Sequence, residues 1–158
     1  MRTEAEEGYW SLVEPIWDQL NETWEIGPEN FVQRFSSIDS DAKYLYAAHW
    51  CISEVDNGGL LQFFWNSTGI LAPEAMKGFK LAGLTDLAQI LDEAIRHFGE
   101  AYPRERTERL LSLPDWQRIE RKKWDPFHKL DDRFYDHSGK WEAAANVFAQ
   151  RIKRTPVG

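Results

Sequence analysis

Sulfur is scarce: the 158 residues include one cysteine and two methionines. A lone Cys51 has no internal partner, so no disulfide staples this fold, and no Cys/His spacing of a structural zinc site occurs. No run of about 18 apolar residues exists, which excludes a helical membrane span. The N-terminus lacks the basic and apolar regions of a secretory leader, so a cytoplasmic setting is expected and the sequons Asn21-Glu22-Thr23 and Asn66-Ser67-Thr68 are read as chance matches. Apolar and polar residues never alternate for more than a few positions, so strands are not expected. There is no Gly-x-Ser-x-Gly elbow, no P-loop, no long repeat and no low-complexity segment.

Aromatic residues, by contrast, are abundant, with eight Trp, nine Phe and five Tyr. A chain of this length buries about 70% of the surface its unfolded form exposes. Each buried ring removes about 150 to 250 Å² from water, so an aromatic core can hold the domain without metal or cofactor. Any surplus left on the surface would mark an interface, and a homodimer is an expectation on that ground.

The net charge of −7 is unevenly placed. Residues 1–60 carry 12 acids and 3 bases, residues 61–158 carry 14 acids and 16 bases. Between Arg2 and Arg34 there is no base at all.

At 100° per residue, Glu14, Asp18, Glu22 and Glu25 share one helix face, and Trp10, Val13, Trp17, Leu20 and Trp24 share the opposite one. Pro15 suggests that this helix starts near Ser11, where Ser11 and Glu14 form a capping-box pattern, and Gly27-Pro28 is expected to stop it. A short helix at 31–35 and a loop through Ser40 lead to a buried helix at 41–56, with Tyr44, Leu45, Ala48, Ile52 and Val55 inward. Asn57 or Gly58 is placed to take the left-handed cap, and 60–65 forms a short apolar helix. Pro73 opens a helix ending near Gly83, and Thr85 caps another that stops at Gly99. Pro103 opens a charged helix to about 113, anchored by Leu110 and Leu111. Another runs from 114 or 115 through 124, one more holds Leu130 and Phe134, and the last carries Trp141, Ala144, Ala145, Phe148 and Ile152. The pattern predicts an all-α, single compact domain of about seven helices: an acidic N-terminal segment, 1–39, and a helical core, 40–154.

Asn57-Gly58-Gly59, then Gln62-Phe63-Phe64, Asn66 and Gly69, resemble the signature of the DNA-mimic-protein-like family, a bacterial domain of unknown function. The Glu93-Ala94-Ile95-Arg96-His97-Phe98-Gly99 helix end and Leu130-Asp131-Asp132-Arg133-Phe134-Tyr135 extend the resemblance over roughly 40–150. It implies a helical, non-enzymatic protein whose ordered carboxylates imitate DNA phosphates and occupy a DNA-binding regulator.

Several features carry competing readings. Like charges at i and i+4 cost roughly 0.2 to 0.5 kcal/mol per pair, so the stripe Glu14, Asp18, Glu22, Glu25 is a candidate partner-binding face, a protein partner with a basic surface being the general case and a DNA-binding regulator the special one. On one helix these charges would stand roughly 5.5 Å apart along the axis against about 3.4 Å per phosphate of a strand, a dilute imitation. The bland alternative is a solvated face, or one neutralised by the basic 104–129 segment.

Asn57, Gly58, Gly59, Gln62, Phe63, Phe64, Asn66 and Gly69 read best as structural determinants of a corner, although Asn57, Gln62 and Asn66 also offer amides beside rings. Arg118, Arg121, Lys122 and Lys123 between Trp116 and Trp124 would suit nucleic acid, but interleaved acids oppose that. His128, Asp132 and Asp136, or Glu93 with His97, fall short of a metal set, and an enzyme would need polar groups converging near His97 or His128. No catalytic, cofactor-binding or metal residue is assigned.

Overall fold

The computed structural model describes residues 8–24, 26–114 and 125–154. These are helical throughout, with no strand among them, and the fold is all-α. In chain order the α-helices are α1 (Trp10–Asn21), α2 (Pro28–Ser36), α3 (Ala42–Trp65), α4 (Ala72–Leu81), α5 (Thr85–Ile95), α6 (Arg106–Leu110), α7 (His128–Ser138) and α8 (Trp141–Arg154). Short 3-10 turns at Glu22–Trp24, Ser67–Leu71 and Arg96–Phe98 join some of them.

Helix α3 is the hub, touching α1, α4, α6, α7 and α8. Its buried residues lie all around its axis, Leu45, Tyr46, Ala47, Ala48 and Cys51 among them, because neighbours cover it on several sides. Helix α1 packs on its first half. The Tyr9 amide donates to Asn146 Oδ1 at 2.9 Å and Trp141 Nε1 to the Tyr9 hydroxyl at 3.3 Å, which docks the start of α1 on α8. Pro15 lies inside α1, where its missing N–H removes one bond to Ser11, but its ring is exposed and the freed carbonyl can be hydrated.

Several boundaries differ from the sequence expectation. Helix α1 ends at Asn21, before Glu22 and Glu25, and the Thr23 hydroxyl takes the Leu20 carbonyl at 2.6 Å, a local bond that competes with the helical ladder. Ser11 donates to the Gly8 carbonyl at 2.8 Å instead of forming a capping box with Glu14. Thr85 is the first residue of α5 and makes no side-chain cap bond. Helix α6 begins at Arg106, not at Pro103, and its buried residue is Arg109, whereas Leu111 is 87% exposed. The expected helix at 114–124 lies outside the described residues.

Among the described residues the large apolar side chains left exposed are Ile26, Val32, Leu111, Tyr135 and Val147, with no Trp or Phe in the set. Among the described residues no helix is long and apolar enough to cross a membrane.

Candidate functional site

Gly58 and Gly59 interrupt α3 and make the corner. Gly59 carries the positive φ, +82° with ψ 175°, one or two places beyond the expected Asn57 or Gly58. That region is open essentially to glycine alone. A Cβ on Gly59 would also stand 2.6 Å from Asp131 Oδ2. The residue is excluded from having a side chain on two counts.

The break frees amides at the start of the 60–65 segment, and the Leu60 N–H donates to Asp131 Oδ1 at 2.8 Å. Asp131 reaches it because Phe127, Asp131 and Phe134 recur at helical spacing on the inward side of α7, with Asp131 only 8% exposed. Burial raises its carboxyl to about 6; the Leu60 amide opposes that rise and the nearby Asp125 adds to it. At neutral pH the group is mostly ionised, where the positive end of a helical segment favours an anion. Tyr135, on the same helix, donates its hydroxyl to the Val55 carbonyl at 3.0 Å on the other side of the break.

The far end of the segment is clamped by donors. Arg109, fully buried, donates from Nε to the Phe64 carbonyl at 2.9 Å, from Nη2 to Asn66 at 2.9 Å, and from Nη1 to Arg104 at 2.6 Å and Pro103 at 3.3 Å. Arg106 Nε donates to the Trp65 carbonyl at 2.7 Å and the Tyr102 hydroxyl to Gly69 at 2.5 Å. Of these, the Phe64 and Trp65 carbonyls belong to the last turn of α3, which a helix leaves without intrahelical partners. Burial lowers the Arg109 guanidinium from its ordinary value. An added Cβ on Gly69 would come within 2.9 Å of Arg109 Nε and of the Phe63 carbonyl.

Between the two ends, Asn57 Nδ2 donates to Gln62 Oε1 at 3.1 Å, and Gln62 Nε2 and Asn66 Nδ2 both donate to Glu54 Oε2, at 2.8 and 2.9 Å. Phe63 and Phe64 are fully buried, and Phe64 packs against Phe98 and Phe127 at ring separations of 5.0 and 5.1 Å. The segments 57–69 and 130–135, far apart in sequence, thus meet through Gly59, Leu60 and Asp131.

The acidic helix is arranged differently. Glu14 and Asp18 are exposed on α1, and neither side chain has a hydrogen-bond or ion-pair partner among the described residues. Glu22 opens the following turn, and its side chain, like the whole of Glu25, lies outside the described residues. The single-helix stripe is therefore shortened to Glu14 and Asp18. Of the described arginines of 104–129, Arg104 pairs with Glu74 at 2.6 Å, and Arg106 and Arg109 face the corner; Lys129 is exposed on α7. On the inner side of α1, Trp10 and Trp17 pack on His49 at 5.0 and 5.9 Å, and the Tyr9 hydroxyl meets His49 Nδ1 at 2.9 Å. Burial among these rings lowers His49 to about 4.

The remaining candidates do not converge. Among the described residues no three His, Cys, Asp or Glu side chains come together as metal ligands. Glu93 pairs with Arg133 at 2.6 Å, and His97 Nε2 lies 2.9 Å from the Ser112 carbonyl. His128, Asp132 and Asp136 are exposed. Cys51 is fully buried, and desolvation pushes its thiol well up, away from the reactive thiolate. Arg118, Arg121, Lys122 and Lys123 lie outside the described residues.

Residues 36–152 match the DMP19-like protein family, and with about three quarters of its length inside that match the chain belongs to the DMP19-like family. The matched region contains the corner, Arg109 and Asp131; it begins after Glu14, Asp18, Glu22 and Glu25. No curated protein and no solved structure matches the chain.

Proposed function

We propose that this chain is a non-enzymatic interaction protein that offers an acidic N-terminal surface, built from Glu14, Asp18, Glu22 and Glu25, to the basic surface of a DNA-binding regulator. The 57–69 corner serves as architecture. Membership in a family of DNA mimics supports this class of partner, and the observation that carries the reading is the exposure of Glu14 and Asp18 with no counter-charge among the described residues, on a helix whose opposite face is fixed to the core. Because these acids precede the matched region, the partner is read by this chain's own residues.

A carboxylate row competing with DNA has two signatures. Binding weakens with added salt, as screening demands, and duplex DNA displaces the protein from its partner. The test is capture of proteins from the native cell lysate on the wild-type chain and on a Glu14→Gln, Asp18→Asn, Glu22→Gln, Glu25→Gln variant, followed by elution with duplex DNA. The reading expects a DNA-binding protein that duplex releases and the variant fails to capture. Equal capture by both baits, or capture indifferent to duplex, would contradict it.

A further inference from the structure

An open cleft of about 380 Å³ lies where the turn after α1 faces the corner, lined by Trp24, Trp50, Glu54, Asn66, Ser67, Thr68 and Arg106. That volume is at the small end of the range of ligand pockets. Its walls hold an excess of hydrogen-bond donors. Trp24 Nε1 and the Thr68 hydroxyl, the latter in a side chain 3% exposed, are buried with no partner among the described residues. The Trp50 N–H leans toward the Tyr46 hydroxyl without reaching hydrogen-bond geometry. Buried polar groups in folded proteins are nearly always satisfied, so these atoms, which lie behind the cleft wall and do not reach its surface, set this lining apart from the fully paired corner.

Arg106 supplies charge. Its Nε is held by the Trp65 carbonyl, and its guanidinium lies 5.9 Å from the Trp65 ring, while its two Nη groups have no acceptor among the described residues. A guanidinium with two free N–H edges matches a carboxylate. The Trp24 and Trp50 rings, 5.1 Å apart and nearly perpendicular, offer apolar walls to a flat body. Glu54 limits what else can enter. Its Oε2 is already held by the Gln62 and Asn66 amides, and its charge disfavours a second anionic group on the ligand.

We propose that this cleft binds a small aromatic monocarboxylate, with the carboxylate on the free Nη edge of Arg106 and the ring against Trp24 and Trp50. Trp24 stands between Glu22 and Glu25 in the sequence, so an occupant of the cleft would adjoin the proposed acidic surface and make the interaction protein responsive to a metabolite.

Indole N–H resonances test this directly, because each of the eight tryptophans gives its own signal. Trp24→Phe and Trp50→Phe variants assign the two in the cleft. Benzoate is the probe and benzamide its neutral control. The proposal expects the Trp24 signal to move saturably with benzoate and not with benzamide, while those distant from the cleft stay still. Arg106→Gln should weaken binding about tenfold or more and Arg106→Lys restore part of it, the loss and partial return of a charge-assisted contact. Unmoved distant indole signals in each variant would show that the fold is kept. A still Trp24 signal, an equal response to benzamide, or undiminished benzoate affinity in Arg106→Gln would overturn the proposal.

Discussion

The corner and helix α1 treat their polar groups in opposite ways. In the corner, Asp131 closes the start of the 60–65 segment, Arg109 and Arg106 close its end, and Asn57, Gln62 and Asn66 satisfy one another and Glu54. On α1, Glu14 and Asp18 are exposed, with no partner among the described residues. The family match covers the first region and omits the second. A motif rich in Asn, Gly and Gln can therefore mark architecture, while the surface proposed to meet a partner is written in residues with no recognisable pattern beyond charge.

If the corner is held from both ends, removing the buried guanidinium should do the most damage. Arg109→Met removes a donor from four carbonyls, of which Asn66 alone is seen to keep another in the Gly69 N–H, and should cost roughly 3 to 5 kcal/mol by urea denaturation. Arg109→Lys should not rescue it, since one ammonium cannot span that fork. A loss below about 1 kcal/mol would mean that water replaces the arginine and the clamp is decorative.

The next effect depends on pH and separates the two regions. His49, under α1, is lowered to about 4 by burial, so its contribution is complete above its unfolded value of about 6.5 and lost as pH falls toward 4, about 3 kcal/mol in all. Asp131, in the corner, is raised from 3.8 to about 6, so its contribution is complete below 3.8 and is lost as pH rises through 6, again about 3 kcal/mol. The two slopes oppose and largely cancel in the wild-type chain. Asp131→Asn should therefore become less stable as pH falls from 6.5 to 4, and His49→Phe should become more stable over the same interval. Parallel pH profiles for the two variants would break the assignment.

Gly59→Ala should cost about 2 kcal/mol, from positive φ and from the approach to Asp131. Repeating it in an Asp131→Ala background isolates the steric part, because the variants share that contact, and the cost should fall by about 1 kcal/mol. Strict additivity would show that backbone strain alone requires the glycine.

Much of this was legible in the sequence. Helix α4 falls within a residue or two of its expected limits and α5 starts where expected, because Pro73, Gly83 and Gly99 punctuate an apolar period near 3.6, although α5 itself ends at Ile95 and a 3-10 turn carries the chain to Gly99. The end of α1 was not, since the acids and tryptophans continue the helical spacing through Glu25 while the Thr23 hydroxyl turns back on Leu20. The corner's glycines were legible as a break, but not which of them takes positive φ, because that depends on an aspartate 72 residues away in sequence. Phe127, Asp131 and Phe134 share a spacing that could have marked Asp131 as inward. Nothing local marks Arg109: in a charged stretch it looks like any solvated arginine, and only the carbonyls of Phe64 and Asn66 explain its burial.

The division between an inward corner and an outward acidic helix is tested most directly by urea denaturation at pH 5, where the contribution of Asp131 is still present, of two variants side by side, Glu14→Gln with Asp18→Asn, and Asp131→Ala. The account predicts that the first stays within about 0.5 kcal/mol of wild type, because exposed carboxylates without partners hold nothing in place. It predicts that the second loses about 1 to 2 kcal/mol with the cap on Leu60. The reverse order would contradict it, since the acids of α1 would then be supporting the fold and Asp131 would not.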